Sequence, residues 1–103
     1  MFLGIVHIIS WKKLDDFINK HPNSESSLKS WYKIIKNTNF KDFSELRKVF
    51  NSVDQVGKLT VFNISGNHFR LIAAIHFNRQ KLFIRNVLTH SDYDKGKWKK
   101  ETI

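Results

Sequence analysis

The chain has no cysteine among its 103 residues. That absence removes disulfides, thiolate nucleophiles and every cysteine-based zinc site, and it fits a reducing cytoplasm. Glycine is scarce as well, four in all, and the glycines form neither a GxGxxG fingerprint nor a Walker A loop; SGN at 65–67 reads as a hairpin turn. Long hydrophobic runs are missing. The opening MFLGIVHII is apolar but has no basic flank and is about half the length needed to span a bilayer, so it reads as a buried strand with no membrane partner. The five histidines and nine acidic residues are scattered, with no HExxH, no His-x-His pair and no carboxylate cluster beyond Asp92 and Asp94. Neither a metal site nor a cofactor is expected. Signatures of a serine nucleophile are absent too.

Acid is the other shortage. Eighteen Lys and Arg against nine Asp and Glu leave a net charge of +9. Residues 1–57 hold nine basic and six acidic side chains, a balance of +3, whereas residues 58–103 hold nine and three, a balance of +6. A small protein with one strongly basic half is a candidate for binding phosphate backbones. With 41% hydrophobic and 14% aromatic residues there is material for one modest core, hence a single domain over 1–103. The basic end DKGKWKKETI reads as a flexible tail over residues 95–103.

Apolar spacing orders what is there. Ser10 stands before Trp11, Leu14, Phe17 and Ile18, a helical stripe that Pro22 stops near His21. A second helix follows Asn23-Ser24, with Leu28, Trp31 and Ile35 on one side and Lys29, Lys33 and Lys36 on the flanks. Phe43, Leu46 and Phe50 mark a third, shorter helix, and Ser52 to Lys58 reads as loop. From Leu59 the period changes to two: LTVFNI, HFRLIAAIHF and LFIRNVLT are strands joined by short links, as in antiparallel hairpins. The expected fold class is α+β: an N-terminal strand and two to three helices packed on a mainly antiparallel four-stranded sheet.

Strand register predicts which polar groups meet. In 69–77 the odd positions are all apolar and mark the core face. A turn centred between Arg79 and Gln80 pairs Ile75 with Ile84, Leu71 with Leu88 and Arg70 with Thr89; a slip by one would bury Arg85. A turn at Ser65-Gly66 pairs Val61 with Arg70 and Asn63 with His68. One sheet face would then carry Asn63, His68, Arg70 and Arg85, and the chain leaving at Thr89 delivers His90 and Tyr93 beside Arg70. Singly, each of these residues has a bland explanation as a wet strand, turn or packing residue. Their convergence is the signal.

With those residues in place the chain resembles the HigB-type branch of the RelE/ParE-like toxins of bacterial toxin–antitoxin systems. VHIIS at 6–10, HPNSESSLKSWYK at 21–33, VFNISGNHFRLI at 61–72 and IRNVLTHSDYDKGKW at 84–98 carry the likeness, and a GNxxRL turn-strand with a downstream THxxYD is its most specific part. The resemblance implies a RelE-like fold. It also implies a cytoplasmic endoribonuclease that cuts messenger RNA, typically on the translating ribosome. A helix-turn-helix antitoxin of the HigA type would be its partner, in a toxin–antitoxin heterotetramer.

The residues suit metal-independent cleavage, in which the RNA 2′-hydroxyl attacks the adjacent phosphate. His90 serves as acid or base, Tyr93 donates a proton or stacks on a base, and Arg70 and Arg85 hold phosphate oxygens. Asn63 and Asn67 orient the sugar or satisfy the turn, and Asp94 orients His90 or caps. Lys33 and Lys36 extend a phosphate track, and His68, Thr89 and Lys97 complete the RNA-binding set. The alternative is a non-catalytic basic toxin of the ParE-like kind that blocks a nucleic-acid machine such as gyrase. A plain RNA-binding domain is weakened by the lack of exposed aromatic pairs on the sheet.

Overall fold

A computed structural model of the chain describes residues 7–102; the part of the expected first strand over residues 1–6 lies outside the described residues. Five strands form one sheet in the order β1-β5-β4-β3-β2. They are β1 (His7–Ile9), β2 (Asp54–Val56), β3 (Leu59–Ile64), β4 (Phe69–His76) and β5 (Lys81–Thr89). β1 runs parallel to β5, and every other pairing is antiparallel. The class is the expected α+β, with one strand more than expected. The loop assigned to 52–58 contains β2, which hairpins onto β3 through Gly57 at φ 61°. Three residues are too few to show a period, so only the pairing reveals this strand.

Helices α1 (Trp11–Lys20), α2 (Glu25–Lys36) and α3 (Phe43–Val49) lie on one face of the sheet. Leu14, Phe17 and Ile18 of α1 and Leu28, Trp31 and Ile35 of α2 meet Phe62, Leu71, Ala73, Leu82 and Ile84 in the main core. Ser10 does occupy the position before α1, but its φ of 73° is left-handed and its side chain makes no capping bond. It acts as the corner between β1 and α1. α3 is capped by Asp42, which accepts from the Glu45 amide at 3.0 Å, while Glu45 accepts from the Lys41 amide at 2.8 Å.

The other face is covered too. β5 runs directly into α4 (His90–Lys95), Gly96 at φ 73° ends that helix, and α5 (Lys97–Thr102) follows. Trp98 is 2% exposed and packs with Leu59, Val61 and Ile72, flanked by Leu88 and Tyr93. Where sequence suggests a flexible tail from residue 95, a tryptophan closes a second small core. Its indole donates to the Tyr93 carbonyl at 3.0 Å. Basic neighbours disguise it, since Lys97 and Lys99 make the local composition look like solvated chain. Among the described residues no helix is long and apolar enough to cross a membrane.

Both hairpins turn through four residues rather than two. Ile64 pairs with Phe69 and His76 with Lys81, which shifts the expected partners by two next to each turn and leaves the faces there unchanged. Gln80 explains the second turn: at φ 52° its side chain donates to the carbonyls of Phe40 and Phe77. A further irregularity lies mid-strand. Ile72 pairs with Asn86 but Ala73 with Ile84, so Arg85 is an extra residue on β5, a β-bulge. The bulge moves Arg70 opposite Leu88 and turns Leu88 toward Trp98.

Trp98→Ala is expected to lower unfolding free energy by about 3–5 kcal/mol, measured by chemical denaturation, because it empties the centre of the second core. A variant as stable as the parent would show that residues beyond Gly96 contribute nothing to the fold.

Candidate active site

Arg70 and Asn63 sit side by side, paired across β4 and β3. Arg70 points away from the main core, yet only 8% of it is exposed. A buried guanidinium is tolerated only when its donors are occupied. Nη1 donates to the carbonyls of Asn67 at 3.2 Å and Phe69 at 3.1 Å. Nη2 donates to the Asn67 side-chain oxygen at 2.8 Å and to His90 Nδ1 at 3.2 Å. The Tyr93 ring lies 5.3 Å from Arg70 Cζ, within cation–π range.

His90 opens α4, and three contacts set its position. Its amide donates to the His68 carbonyl at 2.9 Å, tying the helix to the β3–β4 turn. Thr89 caps the helix by accepting from the Asp92 amide at 3.1 Å. One turn later Asp94 Oδ2 lies 3.1 Å from His90 Nε2, the spacing at which i and i+4 side chains meet on a helix. A guanidinium offers donors and no acceptor, so Nδ1 must be the acceptor in that bond. Neutral His90 therefore carries its proton on Nε2 and donates it to Asp94. The result is a chain from guanidinium through imidazole to carboxylate, with the His90 and Asp94 side chains about half exposed at its outer end.

Tyr93 is half-buried, stacked on Trp98 at 5.1 Å and 14°. Burial raises its phenol above the ordinary value of 10, Asp54 and Asp94 push the same way, and Arg70 opposes them. The phenol thus stays protonated at neutral pH and can donate. Asp54 carries no sequence signal, because β2 is only three residues long.

Of the residues singled out from sequence, Arg70, His90 and Tyr93 converge, and Asn63, Asn67, His68 and Thr89 surround them. Arg85 does not join them. It sits at the bulge, three positions before Leu88 and roughly 10 Å along the strand, where it lines the seam with Lys13 of α1. A bulge interrupts the alternation that an unbroken ladder would give Arg85. Lys33 and Lys36 are exposed on α2, across the sheet, and Lys36 instead approaches the Tyr32 ring at 5.5 Å. Lys97 lines a depression beside α4 with Asn86, Leu88 and Lys95. Among the described residues no three His, Asp or Glu side chains converge to hold a metal ion.

Residues 24–96 match the HigB_toxin family, described as the RelE-like toxic component of a toxin–antitoxin system. The chain is 34% identical over 93 residues to the mRNA interferase HigB of Escherichia coli O6:H1 (strain CFT073), covering 87% of this chain and 90% of that protein. It is 37% identical over 92 residues to the mRNA interferase toxin HigB of Escherichia coli K12, covering 86% and 88%. The mRNA interferase HigB of Shigella flexneri matches to the same extent.

Asn67→Ala is expected to cost about 1.5–3 kcal/mol in chemical denaturation, because it strips a charged, buried donor of its acceptor. Asn63→Ala, next to Arg70 but outside its hydrogen bonds, is expected to cost less than about 1 kcal/mol. Equal costs would mean that the Asn67 cradle does not hold Arg70.

Proposed function

The chain belongs to the HigB toxin family of RelE-like toxins from toxin–antitoxin systems, and from that membership we propose that it is an mRNA endoribonuclease that inhibits translation. A toxin of this family has a cognate antitoxin. The reading extends to a helix-turn-helix partner of the HigA type in a heterotetramer, and to message held on the cytoplasmic ribosome. The observation that supports the chemistry is the contact of Arg70, His90 and Tyr93 at one end of the sheet.

The reaction is attack of the 2′-hydroxyl on the neighbouring phosphorus. It needs a base, an acid and a cation for the charge that builds on the phosphorane. His90 Nδ1 is the base, but in the free protein its lone pair is occupied by Arg70. A phosphate is a stronger acceptor for a guanidinium than a neutral imidazole is. Substrate draws Arg70 Nη2 onto a phosphate oxygen and so frees Nδ1. The 2′-hydroxyl proton passes to Nδ1 as the O2′–P bond forms, and Asp94 on Nε2 stabilises the imidazolium, as a carboxylate does for other histidine bases. The P–O5′ bond breaks while the Tyr93 phenol gives its proton to O5′. Products are a 2′,3′-cyclic phosphate and a 5′-hydroxyl, and water returns the proton from His90 to Tyr93. Asn63 and Thr89 border the site where the sugar would lie, and His68 edges it.

Primer extension on transcripts after brief induction is expected to show new 5′ ends. His90→Ala and Tyr93→Phe should each lower cleavage by about 10²–10⁴-fold, the usual cost of a positioned acid or base. Arrested replication with intact transcripts would contradict the nuclease and favour a gyrase-type target.

The pH dependence follows from Tyr93. An acid must be protonated, and the pKa of this one lies above 10, so the alkaline fall in kcat is expected above pH 10 and is lost in Tyr93→Phe. A tyrosine-dependent fall well below pH 10, measured with stopped-time cleavage assays, would remove Tyr93 as the acid.

A further inference from the structure

β5 outruns its neighbour. β1 pairs with it only at Lys81, Leu82 and Phe83, although β5 continues to Thr89, so among the described residues no strand lies on that side from Ile84 onward. The left-handed corner at Ser10 turns the chain out of β1 and sends α1 past the bare edge. Lys13 Nζ reaches across to the Arg85 carbonyl at 2.9 Å. Two depressions of about 300 and 220 Å³ open along the seam, and Lys13 and Arg85 line both. One extends to His76 and Phe83, the other to Lys20 and Asn86.

The charge along this edge is one-sided. Among the described residues neither Lys20 nor Arg85 has a carboxylate partner. Asp16 lines the second depression, but Lys12 holds it at 3.0 Å. Asn86 also lines a depression with Lys95 and Lys97 beside α4, where Asp92 lies 3.7 Å from Lys95. The row of cations therefore continues toward His90. The bulge adds an independent sign. An extra residue disrupts the ladder, and here it turns a guanidinium out to the edge, a common use of bulges beside functional sites.

We propose that this seam between α1 and the free edge of β5 binds the phosphodiester backbone of single-stranded RNA flanking the cleavage site. That the strand is the substrate rests on the nuclease reading; that the groove suits a polyanion rests on its own residues. Arg85 lies five residues before His90, roughly 16 Å of extended strand, so it meets a phosphate other than the reacting one. A guanidinium that can fork onto two oxygens and ammonium groups on flexible stems fit phosphates of any sequence. The seam adds affinity and register without base preference.

The test uses the full chain carrying His90→Ala, so that binding is read without cleavage. Fluorescence anisotropy with a labelled single-stranded RNA, repeated across salt concentrations, compares this parent with one that also carries Lys20→Gln and Arg85→Gln. Both added changes fall on exposed side chains. The double change is expected to weaken binding about tenfold or more and to flatten the log–log salt slope by roughly 1.4, two contacts at about 0.7 each for single strands. Capture of the cognate antitoxin should be unchanged. RNA binding with unaltered affinity and slope would overturn the proposal, as would loss of antitoxin binding with RNA binding intact. A wild-type protein that binds RNA through these residues but cuts nothing supports the groove and removes the nuclease. Cleavage with no change on charge removal does the reverse.

Discussion

A guanidinium that cannot lose its charge, placed almost out of reach of water, is the constraint around which this structure is arranged. Arg70 must have an acceptor for each buried donor, and the fold provides them from three sources: the β3–β4 turn through Asn67, its own strand through the Phe69 carbonyl, and α4 through His90. Leaving such a group unpaired costs several kcal/mol. The turn, the strand and the helix are thereby held in one geometry. The same constraint dictates the state of His90, because a histidine facing an obligatory donor has only one neutral tautomer to offer.

The second small core makes that arrangement possible. Trp98 returns beneath the sheet and presses Tyr93 toward Arg70, so that the phenol is desolvated and stays protonated. Without α5 the Arg70 face of the sheet would be wet, and a wet guanidinium would neither need the Asn67 cradle nor hold His90. The geometry around Arg70 thus depends on a segment whose composition looks like solvent-exposed chain. The bulge at Arg85 has the complementary effect: it lets Leu88 face Trp98 while Arg85 turns outward to the seam with α1.

How much of this was legible in the sequence depends on the range of the interaction. The bulge at Arg85 reverses the expected faces from Asn86 onward. The three helices, the three long strands and the faces of their other residues follow from local periodicity, and hairpin errors of two residues leave those faces intact. The meeting of Arg70, His90 and Tyr93 survives for that reason. Arg85 was misplaced because a bulge breaks the parity that register arguments assume. β2 was missed because it is shorter than one period of evidence, and Trp98 because burial is a tertiary fact that neighbouring lysines conceal. Lys13 and Lys20 gave no signal as members of a groove, since only the early end of β1 brings α1 alongside β5. Which ring nitrogen of His90 is free was beyond any pattern; it follows from the direction of one hydrogen bond.

The account stands or falls on where Arg70 sits before and after substrate arrives. Nitrogen-15 NMR of the His90 ring reads this directly in the free protein and in complex with a 2′-deoxy RNA analogue that cannot react. The expected spectrum of the free protein has Nε2 protonated and Nδ1 as a hydrogen-bonded acceptor, and binding of the analogue should remove the Nδ1 bond and shift the Arg70 Nη protons. A free protein with the proton on Nδ1, or a bound analogue that leaves both residues unmoved, would contradict it.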